Sequence, residues 1–339
     1  MRVITFGEIM LRLSPAGNYR FLQAESFGAT FGGGEANVAV SLAEFGADAA
    51  FVSKIPEHEI GQAAVNSLRR FGVDTSLITR GGERVGIYFL EKGASQRPSK
   101  VIYDRAHSAI AEAASEDFNW EKIFDGADWF HFTGITPALG DNVADICLEA
   151  VKAAKKQDVK VSCDTNYRSK LWGLEKASAV MTELMQYVDV CITNPGDAKD
   201  LFGIISDDKG FDLKNPDNAG AASVAKKLKS TFGFEKVALT LRTNLSASDN
   251  DWAAMLYDGE SCCTSKKYSM HIVDRVGGGD SFSAGLIYAL LNNYSAKSAV
   301  EFAAAASCLK HTVEGDFNCV SVAEVESLAG GDGSGRVQR

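Results

Sequence analysis

Asp274-Arg275-Val276-Gly277-Gly278-Gly279-Asp280-Ser281-Phe282-Ser283-Ala284-Gly285 runs three consecutive glycines into an aspartate, and an apolar, helix-compatible segment continues to Leu291. Glycines let a backbone turn sharply and bring its N–H groups close to a ligand. A helix starting there adds unpaired N–H donors and the positive end of its dipole. Together they predict an anion hole suited to phosphate at Gly277, Gly278 and Gly279. A carboxylate would repel that anion, so Asp280 makes chemical sense as the base that takes a proton from a hydroxyl attacking phosphorus. A flexible loop with Asp280 as helix N-cap is the plainer alternative. The small residues Ser281, Ser283, Ala284 and Gly285 favour close packing of a helix start instead. No Gly-Lys-Ser/Thr ending occurs, which argues against a Walker-type phosphate loop.

A second glycine run, Phe31-Gly32-Gly33-Gly34-Glu35-Ala36-Asn37, also opens a helix. It lacks the G-x-G-x-x-G spacing and the immediately preceding strand of a dinucleotide fingerprint. Tyr103 and Arg105 alternate along an extended segment, so both point to one face. Arg168 follows the strand-like run ending at Asp164, and strand ends are where open α/β sheets place ligands. Two guanidiniums converging on one substrate suit an anion, such as a sugar acid; surface ion pairs are the alternative.

Between these motifs, strand-like and helix-like segments alternate. Val3–Gly7, Ala50–Ile55, Trp129–Thr133, Val159–Asp164, Val188–Thr193 and Lys236–Thr240 read as strands. Glu35–Phe45, Ile60–Phe71, Asp141–Lys156, Ala177–Tyr187, Asn218–Thr231, Phe282–Asn292 and Ala296–Thr312 read as helices. This rhythm predicts an α/β fold, a mostly parallel sheet with helices on both faces, over 1–11, 32–83 and 110–328. Segments 12–31 and 84–109 break it and read as extended chain, the second as a hairpin. They are expected to form a small β-sheet. The Gly-, Ser- and Asp-rich end, 330–339, is expected to be flexible.

The 339 residues are 45% hydrophobic and 23% charged, ordinary for a globular enzyme. A formal charge of −9 argues against a broad nucleic-acid surface. No apolar run reaches the roughly 18 residues of a membrane span, and the N-terminus enters a strand without a signal-peptide profile. A cytoplasmic location is the expectation. The seven cysteines read as free thiols of a reducing compartment.

The chain resembles the ribokinase-like (PfkB) carbohydrate kinases over residues 1 to 328. Its glycine-aspartate stretch is similar to their D-T-V-G-A-G-D signature, with Arg275 for Thr and Gly278 for Ala. That resemblance implies Asp280 as catalytic base and an anion hole over Gly277–Asp280. The N-terminal run resembles the family's G-G-x-x-x-N signature, which brings Gly33, Gly34 and Asn37 to the sugar, and Gly7 to Met10 with Arg12 look like the strand end facing it. Tyr103-Asp104-Arg105 and Asp164-x-Asn166-x-Arg168-x-x-Leu171-Trp172 resemble patterns of the 2-keto-3-deoxygluconate kinases. They imply Tyr88, Tyr103, Arg105, Asn166 and Arg168 as sugar-acid contacts.

The resemblance further places Asn194, Arg242, Ser246 and Cys308, with Gly277 and Gly279, beside the nucleotide. Asn194-Pro195-Gly196-Asp197 stands where the family has N-x-x-E, so Asp197 is the magnesium candidate, through water; a simple turn is the other reading. What the resemblance implies is ATP- and Mg²⁺-dependent phosphorylation of 2-keto-3-deoxy-D-gluconate to its 6-phosphate. Fructokinase or another neutral-sugar kinase, and a non-catalytic sugar- or nucleotide-binding regulator, stay open. So does a monovalent cation. The small sheet is expected to act as a lid and to serve a homo-oligomer, a dimer or larger.

Overall fold

A computed structural model of the chain describes residues 1–335. The flexible end expected over 330–339 lies partly outside them, and the last helix, Val322–Gly330, is closed by Gly331.

Alternation of side chains decides the layering. In β1 (Arg2–Phe6), Val3 packs into one apolar cluster while Ile4 and Phe6 pack into another. The small sheet contributes β2 (Met10–Ser14) and β3 (Gly28–Gly32). After α1 (Gly34–Glu44), β4 (Asp48–Ile55) repeats the pattern, with Ala49 facing one cluster and Ala50 and Val52 the other. A strand with both faces apolar is stable only if both are covered. Helices cover both.

Beyond α2 (Glu59–Arg69) come β5 (Ile78–Arg80), then β6 (Ile87–Glu91) and β7 (Lys100–Asp104) of the small sheet. The main sheet resumes after α3 (Trp120–Ile123) with β8 (Trp129–Thr133), α4 (Asp141–Lys156), β9 (Lys160–Asp164), α5 (Leu174–Met185) and β10 (Val190–Thr193). Then α6 (Pro195–Phe202) and α7 (Asn218–Phe232) lead to β11 (Lys236–Asn244), β12 (Asp249–Tyr257), β13 (Cys262–Thr264) and β14 (Tyr268–His271). The chain closes with α8 (Gly278–Leu291), α9 (Ala296–Lys310) and α10 (Val322–Gly330).

The main sheet runs β13-β12-β11-β10-β9-β8-β1-β4-β5, with β14 on β12. Pairing is parallel from β11 to β5 and antiparallel at the β12–β14 edge. Strand order reverses at β1, which sits between β8 and β4. A crevice opens at such a switch point, outside the carboxyl ends of the strands. Gly7 and Thr133 stand there. The small sheet, β3-β2-β6-β7, is separate and carries its own short apolar cluster of Met10, Tyr88 and Leu90.

Two sequence expectations change. Asn194–Asp197 is no simple turn: Asn194 caps α6, with Pro195 at its first position, and its side chain accepts from the Asp197 N–H at 3.0 Å. Proline loses no helical hydrogen bond there. The strand read over Lys236–Thr240 runs on to Asn244 and turns back into β12, so the polar stretch Thr243–Asn250 is the tip of a hairpin.

Candidate active site

Gly277 ends the approach to α8 at φ +83°, a left-handed conformation that glycine adopts without strain. A side chain there would also collide with the Asp316 carbonyl, 2.1 Å from an added Cβ. Asp280 then falls in the first helical turn, and Gly277, not Asp280, is the N-cap. From the other glycine run, Asn37 donates its amide to Asp280 Oδ2 at 2.7 Å, while its Oδ1 accepts from the Gly33 N–H at 3.2 Å. The two runs, 243 residues apart, therefore meet around one carboxylate. Asp280 lines the cleft. Burial pushes its carboxyl up to about 6, Asp316 adds to the rise, and the Asn37 bond with Arg168 and Lys310 opposes it.

The cleft is a cavity of about 780 Å³ between the two sheets. Of the predicted site residues, Gly7, Ile9, Arg12, Ser246 and Cys308 do not line it. Gly33, Gly34, Asn37, Tyr88, Tyr103, Arg105, Asn166 and Arg168 line it with Asp280 and Gly277–Gly279. Asn194, Asp197 and Arg242 line it too. Ser246 instead closes the β11–β12 turn, donating to Asp249 Oδ2 at 2.9 Å. Cys308 sits on α9, its thiol pushed up to about 11 by burial.

Two arginines read as sugar contacts are already engaged. Arg105 donates through both Nε and Nη2 to Glu8 Oε2, in a pair buried on both sides. Its guanidinium lies 5.5 Å over the Tyr103 ring. Arg12 does not face the cavity. Its Nη2 donates to Asp274 at 2.5 Å and its Nη1 to Asp316 at 2.7 Å, and all three side chains are at most 3% exposed. Burial works against the Arg12 charge, but Asp316 and Asp274 hold it well above the usual arginine range.

Several groups escaped the sequence reading. Asp164, at the end of β9, is pushed up to about 8 by burial and then by the like charges of Asp280 and Asp197. Glu35 sits wholly inside, pushed up to about 7 by burial despite donors from Thr133 and Thr136. Arg275 and Lys214 line the cleft beside Arg242 and Arg168. Among the described residues none of these four cations makes an ion pair, whereas most other arginines do. Burial and then the positive charges of Arg275 and Arg168 lower the Arg242 pKa. Cations without ion-pair partners, grouped in a concave site, suit an anionic guest. The signal was present in the sequence as Arg275 in place of a small polar residue beside the glycines, but its neighbours came from elsewhere in the chain.

The profile of the pfkB family carbohydrate kinases matches residues 2–323. The chain belongs to that family. Among its carbohydrate-kinase relatives, the 2-dehydro-3-deoxygalactonokinase of Haloferax volcanii is 31% identical, across 97% of this chain and 97% of its own. The 2-dehydro-3-deoxygluconokinase of Bacillus subtilis is 27% identical, across 93% and 91%. A crystal structure of 2-dehydro-3-deoxygluconokinase from Thermotoga maritima has a TM-score of 0.94 at 52% identity, covering 98% of this chain and all of that one. No helix among the described residues is long and apolar enough to cross a membrane.

Proposed function

We propose that this carbohydrate kinase transfers the γ-phosphoryl group of ATP to the 6-hydroxyl of 2-keto-3-deoxy-D-gluconate, with Asp280 as general base. The observation that carries the reading is Asp280 itself: a carboxylate fixed by Asn37 at the mouth of a glycine-started helix, in a cleft that also holds unpaired guanidiniums. The named acceptors of its relatives support a keto-deoxy sugar acid. Asp280 takes the hydroxyl proton as that oxygen bonds to the γ-phosphorus. The bond from phosphorus to the bridging oxygen breaks, and the electron pair leaves with ADP. The first-turn N–H groups of α8 stabilise the transferred phosphoryl, while Arg242, Arg275 and Lys214 neutralise the rest of the phosphate chain.

Asp164 and Asp197 fit magnesium. Burial and then the like charges of Asp280 and Asp197 hold the Asp164 carboxyl up, and a divalent cation would offset both. Asp197 already accepts from Thr165 at 3.1 Å and from the Tyr167 N–H at 3.0 Å, which suits a contact through water. No cage of three or more acidic, His or Cys ligands occurs among the described residues, so the ion would arrive with the nucleotide. Bound magnesium supplies charge neutralisation at the phosphates.

A neutral-sugar acceptor is the second reading, because Glu8 already balances Arg105. Coupled ADP-release assays on a panel of 2-keto-3-deoxygluconate, its galactonate epimer, gluconate, fructose and ribose separate the two. A sugar acid should lead; equal or better turnover of fructose would hand the site to the second reading. Asp280→Asn should lose about 10²–10⁴-fold in kcat while nucleotide binding persists. Since the base must be ionised, native activity should fall as pH drops through about 6. Near-native turnover by Asp280→Asn would refute the base assignment.

A further inference from the structure

Arg12 and Asp316 have no part in the chemistry above, yet they sit where its two halves join. Arg12 is on β2 of the small sheet. Each nitrogen of its guanidinium donates: Nε to Ser14 at 3.0 Å, Nη1 to Asp316 Oδ1 and Nη2 to Asp274 Oδ2. The other Asp316 oxygen accepts the Tyr88 hydroxyl at 2.5 Å, from β6 of the same sheet. Tyr88 in turn stands 6.2 Å, ring to ring, from Tyr103 on the acceptor side of the cleft.

Asp316 touches both glycine runs. A Cβ added to Gly32 would lie 2.1 Å from its Oδ2, and one added to Gly277 would lie 2.1 Å from its carbonyl oxygen. The side chain lines the cleft while remaining 2% exposed. Asp274, the second carboxylate on Arg12, accepts from the Val276 and Gly315 N–H groups, so it ties the approach to the glycine run to the Asp316 loop. One buried residue thus contacts the tyrosine above the acceptor pocket and the first glycine run through its carboxylate, and the conformation-setting glycine of the anion hole through its backbone carbonyl.

We propose that Asp316 is a positioning residue for phosphoryl transfer: through Tyr88 and Gly277 it holds acceptor pocket and anion hole in register, so that occupancy of one favours the other. The inference rests on the kinase reading, with a sugar acceptor on the Tyr88 side and a nucleotide on the Gly277 side. Its consequence is thermodynamic linkage. If sugar raises nucleotide affinity by a factor, nucleotide raises sugar affinity by the same factor.

Calorimetry with a non-hydrolysable ATP analogue, with and without saturating 2-keto-3-deoxygluconate, measures that factor. The native protein should show one of about 5-fold or more. Asp316→Asn keeps an acceptor for Arg12 but loses the charge, and Tyr88→Phe removes only the hydroxyl link. In both, the factor should collapse toward one and kcat should fall about tenfold or more, because reactants slightly out of register react slowly. A residue with only a fold-stabilising role would lower the melting temperature and leave the factor intact. Tyr88→Phe keeps the idea testable if Asp316→Asn does not fold. The proposal is overturned by a native factor of one, by retention of the factor in Tyr88→Phe, or by an effect of Tyr88→Phe on sugar KM alone. If the panel shows that a neutral hexose is the acceptor, the same linkage measured with that hexose decides the role of Asp316 separately.

Discussion

Arg105 and Arg168 differ in what they already hold, and that difference predicts how each should fail. Arg168 is exposed and lines the cleft, and among the described residues it has no ion pair and a 3.4 Å contact to the Tyr167 carbonyl. Arg168→Leu should leave the melting temperature near native and raise KM for the sugar acid. A charge-assisted hydrogen bond contributes about 1.5–3 kcal/mol, or roughly one to two powers of ten in affinity. Arg105→Leu strands the buried Glu8 carboxylate, so it should destabilise the fold as well as weaken sugar binding. Thermal melts beside sugar-acid kinetics check both. Unchanged KM in Arg168→Leu would remove this residue from substrate recognition. Asp280 and Asn37 were legible as site residues because their motifs are local. Arg12 was misread for the opposite reason: its partners Asp274 and Asp316 lie 262 and 304 residues away, and no local pattern marks them.

The start of α8 allows the glycine run to be dissected within one element. Gly277 needs its positive φ and has the Asp316 backbone against it, so Gly277→Ala should be strained and poorly folded. Gly279 has open space where a Cβ would go. Gly279→Ala should therefore fold with a near-native melting temperature, yet lose nucleotide affinity and turnover, because the methyl occupies room meant for phosphate. Calorimetric titration of the ATP analogue against both variants checks this; native affinity in Gly279→Ala would mean that phosphate does not approach that backbone. The parallel strands and long helices were legible in the sequence because burial on both faces leaves continuous apolar runs, as in Trp129–Thr133 and Val190–Thr193. The antiparallel edge was not. β12 begins with the polar Asp249-Asn250-Asp251, which reads as loop and masks the apolar run behind it, and β13 is only three half-buried residues. The helix α6 was hidden by Pro195-Gly196, a pair that reads as a turn unless the Asn194 cap is credited.

Across the whole molecule, the small sheet is held to the main one very unevenly. Its own apolar cluster is Met10, Tyr88 and Leu90, with Val101 and Val276 against them, and Phe31 at the end of β3 packs on the cluster of Ile9, Ala36 and Val40. Its most deeply buried links to the Asp274 and Asp316 carboxylates, Arg12 and Tyr88, belong to β2 and β6 at the centre of the sheet, while Lys92 and Ser95 add links from the β6–β7 connection. The outer strands carry exposed positions instead: Gly28, Ala29 and Thr30 on β3, and Ile102 and Tyr103 on β7. Few buried contacts make a segment open easily, and closing lids draw on such segments. A sheet that closes over bound sugar and nucleotide should therefore move at its edges while its middle stays fixed. Hydrogen exchange with both ligands present should show protection rising in 28–32 and 100–104, with 10–14 and 87–91 nearly unchanged. Closure of that kind excludes water from the phosphorus, where water would otherwise compete with the sugar hydroxyl. The apo protein should accordingly hydrolyse ATP without sugar far more slowly than it phosphorylates its acceptor. Protection that rises equally in all four strands would mean that the sheet docks as one rigid body, and Arg12 would then be no fixed point. Unchanged protection throughout would show a sheet that already stands closed.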